Sequence, residues 1–274
     1  MRGFVVALVL VAVSGCAGGG SGASAPASTA PATSAATTGT TLAPAAGTTL
    51  APATTTTTVK DPVVVGLGNS VPSGAACSCV NFVRAYAAMV KATVENDAVS
   101  GSTSADVVNQ LAAGAVQAHL KAATTVLIMT GANDFNDAFD EVSLGAPAAP
   151  TYSPVATAVQ DNVTAVVQKI HALNGNAQVV VLDYWAAMED GAVAAKDYDA
   201  PTMAASVAST TYVNDALSVA AKATGALYIS TYAAFKGPAG ANDPTGLLAA
   251  DGDHPNAAGH QLIARAIYSA LPAG

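Results

Sequence analysis

From about residue 60 to the end, short apolar runs alternate with longer segments of helical periodicity. Pro62–Gly66, Asp97–Ser100, Thr125–Met129, Gln178–Leu182 and Leu227–Ser230 read as strands. Several are near-continuous Val, Ile and Leu, the pattern of parallel strands buried on both faces. Asn81–Thr93, Ser104–Leu120, Pro154–Leu173, Met203–Ala223 and Pro255–Leu271 read as helices. Strictly alternating strands and helices predict an α/β domain, a parallel five-stranded sheet covered by helices on both faces. Phe135–Thr151 and Tyr184–Ala200 read as long loops at one rim of that sheet, and long loops in compact domains are often functional.

The first 59 residues follow a different pattern. Met1-Arg2 is a short positive start, and Phe4 to Val13 is an apolar run too short to span a bilayer as a helix. Residues 1–15 therefore read as a signal peptide. Val13-Ser14-Gly15-Cys16 resembles the lipobox of bacterial lipoproteins, which implies cleavage before Cys16 and lipidation of it. Each acyl chain would then add about 0.8 kcal/mol of anchoring per buried methylene. Residues 16–59 are almost wholly Ala, Gly, Ser, Thr and Pro, and Gly39–Ala45 recurs as Gly47–Ala53. Such a composition cannot bury enough apolar surface to offset ordering entropy, so it reads as a disordered tether between membrane and domain. Its Thr and Pro fit either O-glycosylation or a bare spacer.

Residues 60–274 suit one domain. Apolar residues make up 51% of the chain, enough for a large core. Ten Lys and Arg stand against eighteen Asp and Glu, for a net charge of −8. No basic stripe could neutralise phosphates, which excludes nucleic acid as a partner. Membrane attachment would rest on the lipid at Cys16 alone. Cys77 and Cys79 remain; in an exported chain they read as a disulfide, with two free thiols or half of a metal site as alternatives. No second Cys or His cluster accompanies them in sequence, so no metal is expected.

The chemistry concentrates at strand ends, where ligands bind in open parallel sheets. Ser70 follows the first strand, Gly101 the second and Asn133 the third. Asp251 and His254 stand three residues apart before the last helix. A serine becomes a nucleophile when a histidine takes its proton, and a carboxylate fixes that histidine's tautomer. The other readings of these residues are structural: Ser70 as a helix cap, Gly101 and Asn133 as turn formers, Asp251 or Asp253 as a helix-capping acid. Tyr184 and Trp185 follow the fourth strand; they read as core rather than site, the alternative being a lining of the acyl or alcohol pocket.

Four blocks together resemble the SGNH (GDSL-type) hydrolase family. They are Gly68-Asn69-Ser70-Val71-Pro72-Ser73-Gly74, Val99-Ser100-Gly101-Ser102-Thr103-Ser104, Gly131-Ala132-Asn133-Asp134 and Asp251-Gly252-Asp253-His254-Pro255 running on to His260. The resemblance implies a three-layer, flavodoxin-like α/β/α fold. It also implies a cofactor-free and metal-free monomeric esterase with Ser70 as nucleophile, His254 as base and Asp251 as its orienting acid. The oxyanion donors it implies are the Ser70 and Gly101 backbone N–H groups and the Asn133 amide. The family has Asp where this chain has Asn69; Asn keeps the turn-forming hydrogen bonds without the charge. The Gly-x-Ser-x-Gly elbow of α/β-hydrolases is absent, because Pro72 takes its last position. The competing reading is a non-catalytic surface module of the same fold.

Overall fold

The structure is a computed structural model, and it describes residues 61–271. The expected signal peptide, the lipidation at Cys16 and the tether lie outside the described residues. Five strands form one all-parallel sheet: β1 (Val63–Gly68), β2 (Thr93–Asn96), β3 (Thr125–Met129), β4 (Gln178–Leu182) and β5 (Leu227–Ile229). Their order is β2-β1-β3-β4-β5. The chain steps outward from β1 to β2, then reverses across β1 to reach β3, β4 and β5. Right-handed crossovers turn that reversal into two helix layers. On one side α2 (Phe82–Met89) packs against α10 (Ala257–Ala270). On the other, α6 (Ala148–Leu173) packs along α8 (Ala200–Thr224) and against α3 (Ser104–Gln110).

Burial on both faces explains the apolar runs. Val64, Val65, Leu67, Val126, Leu127, Ile128, Met129 and Val179 to Leu182 are all buried. The second strand departs from the reading given above. Asp97–Ser100 is not the strand; β2 lies just before it, at Thr93–Asn96. As an edge strand β2 exposes Thr93 and Glu95 and half-buries Val94 and Asn96, so it lacks the apolar run that marks the inner strands. The chain after it stays beside β1, since Asp97 N–H donates to Gly66 O at 2.9 Å and Val99 N–H to Gly68 O at 2.9 Å.

Three more boundaries move. Ser104–Leu120 is two helices, α3 and α4 (Gly114–Ala122), separated by a turn at Leu111–Ala113. The helix expected from Pro154 begins six residues earlier at Ala148. Pro154 sits exposed inside it, and the early turns are held by buried Tyr152, whose hydroxyl donates to Ala205 O at 3.1 Å. The two expected rim loops carry helices as well: α5 (Asn136–Ser143) in the first and α7 (Gly191–Asp197) in the second. α5 is short and rich in Asp, and α7 opens on Gly191; neither offers a long apolar stripe to read. Two further short helices are α1 (Ser70–Ser73) and α9 (Thr231–Lys236). No helix among the described residues is long and apolar enough to cross a membrane.

His260 of α10 is fully buried, and its Nδ1 accepts from Phe82 N–H at 3.3 Å. Burial first, and then His254, pull its imidazole down to about 4. An unfolded histidine titrates near about 6.5, so the unfolded chain takes up this proton first as pH falls. Stability from His260 is therefore full above about pH 6.5 and drains away down to about pH 4. Urea midpoints measured across that window should fall with pH, and His260→Gln should flatten the slope.

Candidate active site

The site forms where the strand order reverses, between the carboxyl ends of β1 and β3. That reversal is the crevice in which open α/β sheets bind ligands. Gly68 ends β1 with φ +130°, and a Cβ there would collide with the Met129 carbonyl oxygen at the end of β3. Asn69 N–H donates to that same oxygen at 3.1 Å. Only glycine lets the two strand ends close this tightly. The next residue, Ser70, opens α1 with Asn69 as its N-cap. Asn69 Oδ1 accepts from Val71 N–H at 3.3 Å, and Gly74 ends the turn at φ +87°. Ser70 Oγ has no hydrogen-bond partner among the described residues, and Ser70 borders a cavity of about 170 Å³.

Asn133 borders the same cavity. It lies in a 3₁₀ turn, Ala132–Phe135, entered through Gly131 at φ +116°. A Cβ on Gly131 would come within 2.9 Å of Val159, so this glycine too is set by packing. Asn133 Nδ2 donates one hydrogen to Ser102 O at 2.9 Å, which ties it to the loop carrying Gly101 and leaves its second hydrogen free. Gly101 has φ +84°, open space around its Cα, and an N–H with no partner among the described residues. It does not border the Ser70 cavity. Asp134, next to Asn133, accepts from Ser104 N–H at 2.8 Å and Ser104 Oγ at 2.6 Å, pinning the second loop to the third. Burial raises the Asp134 carboxyl despite those bonds.

Asp251 and His254 sit in a turn held at Gly252 (φ +75°), where any side chain would strike Val193. Asp251 Oδ1 accepts from the backbone N–H of Asp253 and of His254, each at 3.1 Å. Asp251 Oδ2 meets His254 Nδ1 at 2.9 Å. Asp253 Oδ2 is farther from that nitrogen, 3.5 Å. Partial burial lifts the Asp251 carboxyl, but the His254 backbone and ring bonds and the Asp253 N–H outweigh it and hold it below its ordinary value. With Nδ1–H donated to a carboxylate, Nε2 carries the lone pair; it is buried and unpartnered. No hydrogen bond joins Ser70 Oγ to His254 in this structure, and catalytic hydrogen bonds often tighten only when substrate binds.

Cys77 and Cys79 are joined as a disulfide. Their sulfurs lie within 4.8 Å of a ring nitrogen of His260, a neighbour 181 residues from Cys79 that sequence spacing could not reveal. Bonded to each other, the two sulfurs are not thiolate ligands.

Two residues of this site escaped the sequence pattern. Tyr184, read as core, is buried yet borders the Ser70 cavity. Its hydroxyl accepts from Asn69 Nδ2 at 2.8 Å, and the Ala132 N–H reaches the same oxygen. Glu189 borders the cavity too, with Oε2 buried and unpartnered. Burial first, then the nearby Asp197, Asp253 and Asp251, push its carboxyl up. Asp253 is raised by burial and by Asp251, against the pull of His254. Among the described residues, no lysine or arginine borders this cavity.

A family model described as the GDSL-like lipase/acylhydrolase family matches residues 66–262. The chain belongs to that family. Its fold is similar to an extracellular lipase from Streptomyces rimosus (22% identity, TM-score 0.59, 77% of this chain and 100% of that one). It is similar also to phospholipase A1 from Streptomyces albidoflavus NA297 (21%, TM-score 0.58, 76% and 99%). A catalytic mutant of an acetylxylan esterase from Geobacillus stearothermophilus matches at 17% identity and TM-score 0.54, over 78% and 95%. No curated protein matches the chain. Membership in the family and the fold makes this chain a hydrolase.

Asn69, which stands where the resemblance implies an acid, gives its amide hydrogen to Tyr184 Oη at 2.8 Å. Removing the hydroxyl with Tyr184→Phe leaves a buried amide hydrogen without an acceptor, which costs about 1–3 kcal/mol. Thermal or urea unfolding of Tyr184→Phe should show that loss, and turnover should fall with it because Asn69 caps the turn bearing Ser70.

Proposed function

We propose that this hydrolase cleaves carboxylic esters through an acyl-enzyme on Ser70. The observation that carries the proposal is the Asp251–His254 pair. A carboxylate held ionised at 2.9 Å from Nδ1 sets the imidazole so that a buried, unpartnered Nε2 is the base. Nε2 takes the Ser70 proton as Oγ attacks the acyl carbonyl, and returns it to the departing alcohol. Water then attacks the acyl-serine by the same proton path, releasing the acid and restoring Ser70.

The negative oxygen of each tetrahedral intermediate needs fixed donors. Ser70 N–H at the start of α1, Gly101 N–H and the free Asn133 amide hydrogen serve as those donors. No cofactor or metal enters the scheme. The Cys16 lipobox and the tether-like composition support an exported enzyme anchored to the outer side of a bacterial cytoplasmic membrane. The neutral to acidic cavity favours a lipid, acylated glycan or small acyl ester without a phosphate at the reacting end.

Residues 60–274 should hydrolyse p-nitrophenyl esters and be labelled by a fluorophosphonate. Ser70→Ala should lower kcat by about 10⁴- to 10⁶-fold and abolish labelling while leaving unfolding unchanged. Asn133→Ala should cost about 10²–10³ in kcat. Full activity in Ser70→Ala would overturn the nucleophile. A folded protein with neither turnover nor labelling would make the chain a binding module of this fold.

A further inference from the structure

A second, larger cavity of about 340 Å³ opens beside the first, between α8 and the carboxyl ends of β4 and β5. It belongs to none of the four sequence blocks. Glu189 is the wall the two cavities share. Trp185 lines the second cavity while almost wholly buried, stacked on Phe235 with ring centroids 4.3 Å apart and planes 13° apart. Hydroxyl-bearing residues of α8 and an acidic one, Asp215, line the opposite side.

The charges of this cavity are largely spent internally. Lys236 Nζ is 2.6 Å from Asp190 Oδ2, with both side chains mostly buried. Asp183 accepts from Tyr228 Oη at 2.7 Å and Tyr232 N–H at 2.9 Å, besides Thr231. Two buried polar atoms on lining residues are unspent: the Trp185 indole N–H, which only donates, and Glu189 Oε2. An anion could meet the first and would be repelled by the surrounding carboxylates. An ammonium could meet the second and would have nothing to offer the indole. A hydroxyl both donates and accepts, so it can satisfy either. Hydroxyls and carboxylates around one unspent donor and one unspent acceptor suit an uncharged group whose edges carry hydroxyls.

We propose that this second cavity binds the alcohol portion of the ester, an uncharged polyhydroxylated group of the glycosyl type, while the acyl group reacts at Ser70. The inference rests on the esterase reading above. Remote contacts of this kind raise turnover of the full substrate over a truncated one.

Trp185 is the only tryptophan in the chain, so its emission reports directly on this cavity. Cellobiose titrated into Ser70→Ala should change that emission saturably. Val207→Phe, at an exposed α8 position lining the cavity, should abolish the change. The same substitution in the active enzyme should leave p-nitrophenyl acetate hydrolysis within twofold and lower kcat/KM for 6′-O-acetylcellobiose at least tenfold. No emission change, or equal loss on both esters, with Ser70-dependent p-nitrophenyl acetate hydrolysis intact, would overturn this inference and spare the esterase reading. A saturable change without Ser70-dependent hydrolysis of either ester would overturn the esterase reading and leave the cavity a polyol site.

Discussion

The joint between β1 and β3 is the constraint on which everything else depends. At Gly68 the backbone runs so close to the Met129 carbonyl that no side chain fits, and Asn69 N–H closes the gap at 3.1 Å. Because the sheet reverses its strand order there, no crossover helix covers this point. The geometry places Ser70 on one lip and Asn133 on the other, both facing one small cavity. An alanine at position 68 would push the strand ends apart and move both lips. The loop hydrogen bonds from Asp134 to Ser104 and from Asn133 to Ser102 then lock the remaining block to the same joint.

Electrostatics at this joint is arranged by hydrogen bonding rather than by opposite charge. Asp251 stays ionised because three N–H groups point at it, with no lysine or arginine paired to it among the described residues. Such a carboxylate can orient a neutral imidazole and steady it once protonated, which a solvated ion pair does poorly. Asn69 follows the same economy. In place of an acid it offers an amide that caps α1 with its oxygen and holds Tyr184 with its nitrogen. A carboxylate there could still cap Val71, but it would add a further negative charge to a cavity already facing Glu189 and Asp253. The Asn is thus compatible with an acidic rim in a way that Asp is less so.

Much of the fold was legible in the chain because the three inner strands, β1, β3 and β4, are buried on both faces and read as near-continuous Val, Ile and Leu. The edge strand β2 was not, since half of it faces water and its apolar content is a single Val94. Helices α5 and α7 were read as loops for a related reason: they are short, and their form depends on tertiary support more than on any stripe. At the site, Ser70, Gly101, Asn133, Asp251 and His254 stood out because their residue types and order are unusual together. Tyr184, Glu189 and the His260 neighbour of Cys77 did not, because each matters through a contact across the fold. A tyrosine after a strand looks like core, and only the 2.8 Å bond to Asn69, 115 residues away, makes it part of the site.

On the proposed reading, the two cavities divide the work of binding as their charge balance dictates. Among the described residues the smaller one has polar donors and acids but no cation to hold an anionic group by charge. The larger one has a cation, Lys236, but Asp190 consumes it. Whatever affinity this molecule has for its substrate must therefore come from hydrogen bonds and apolar contact, both of which depend on exact placement over short range. That requirement returns to the close-packed backbone at Gly68 and the stacked pair Trp185–Phe235. Rigid elements of this kind hold donors in place without reorganisation, which is the basis of electrostatic stabilisation of a transition state.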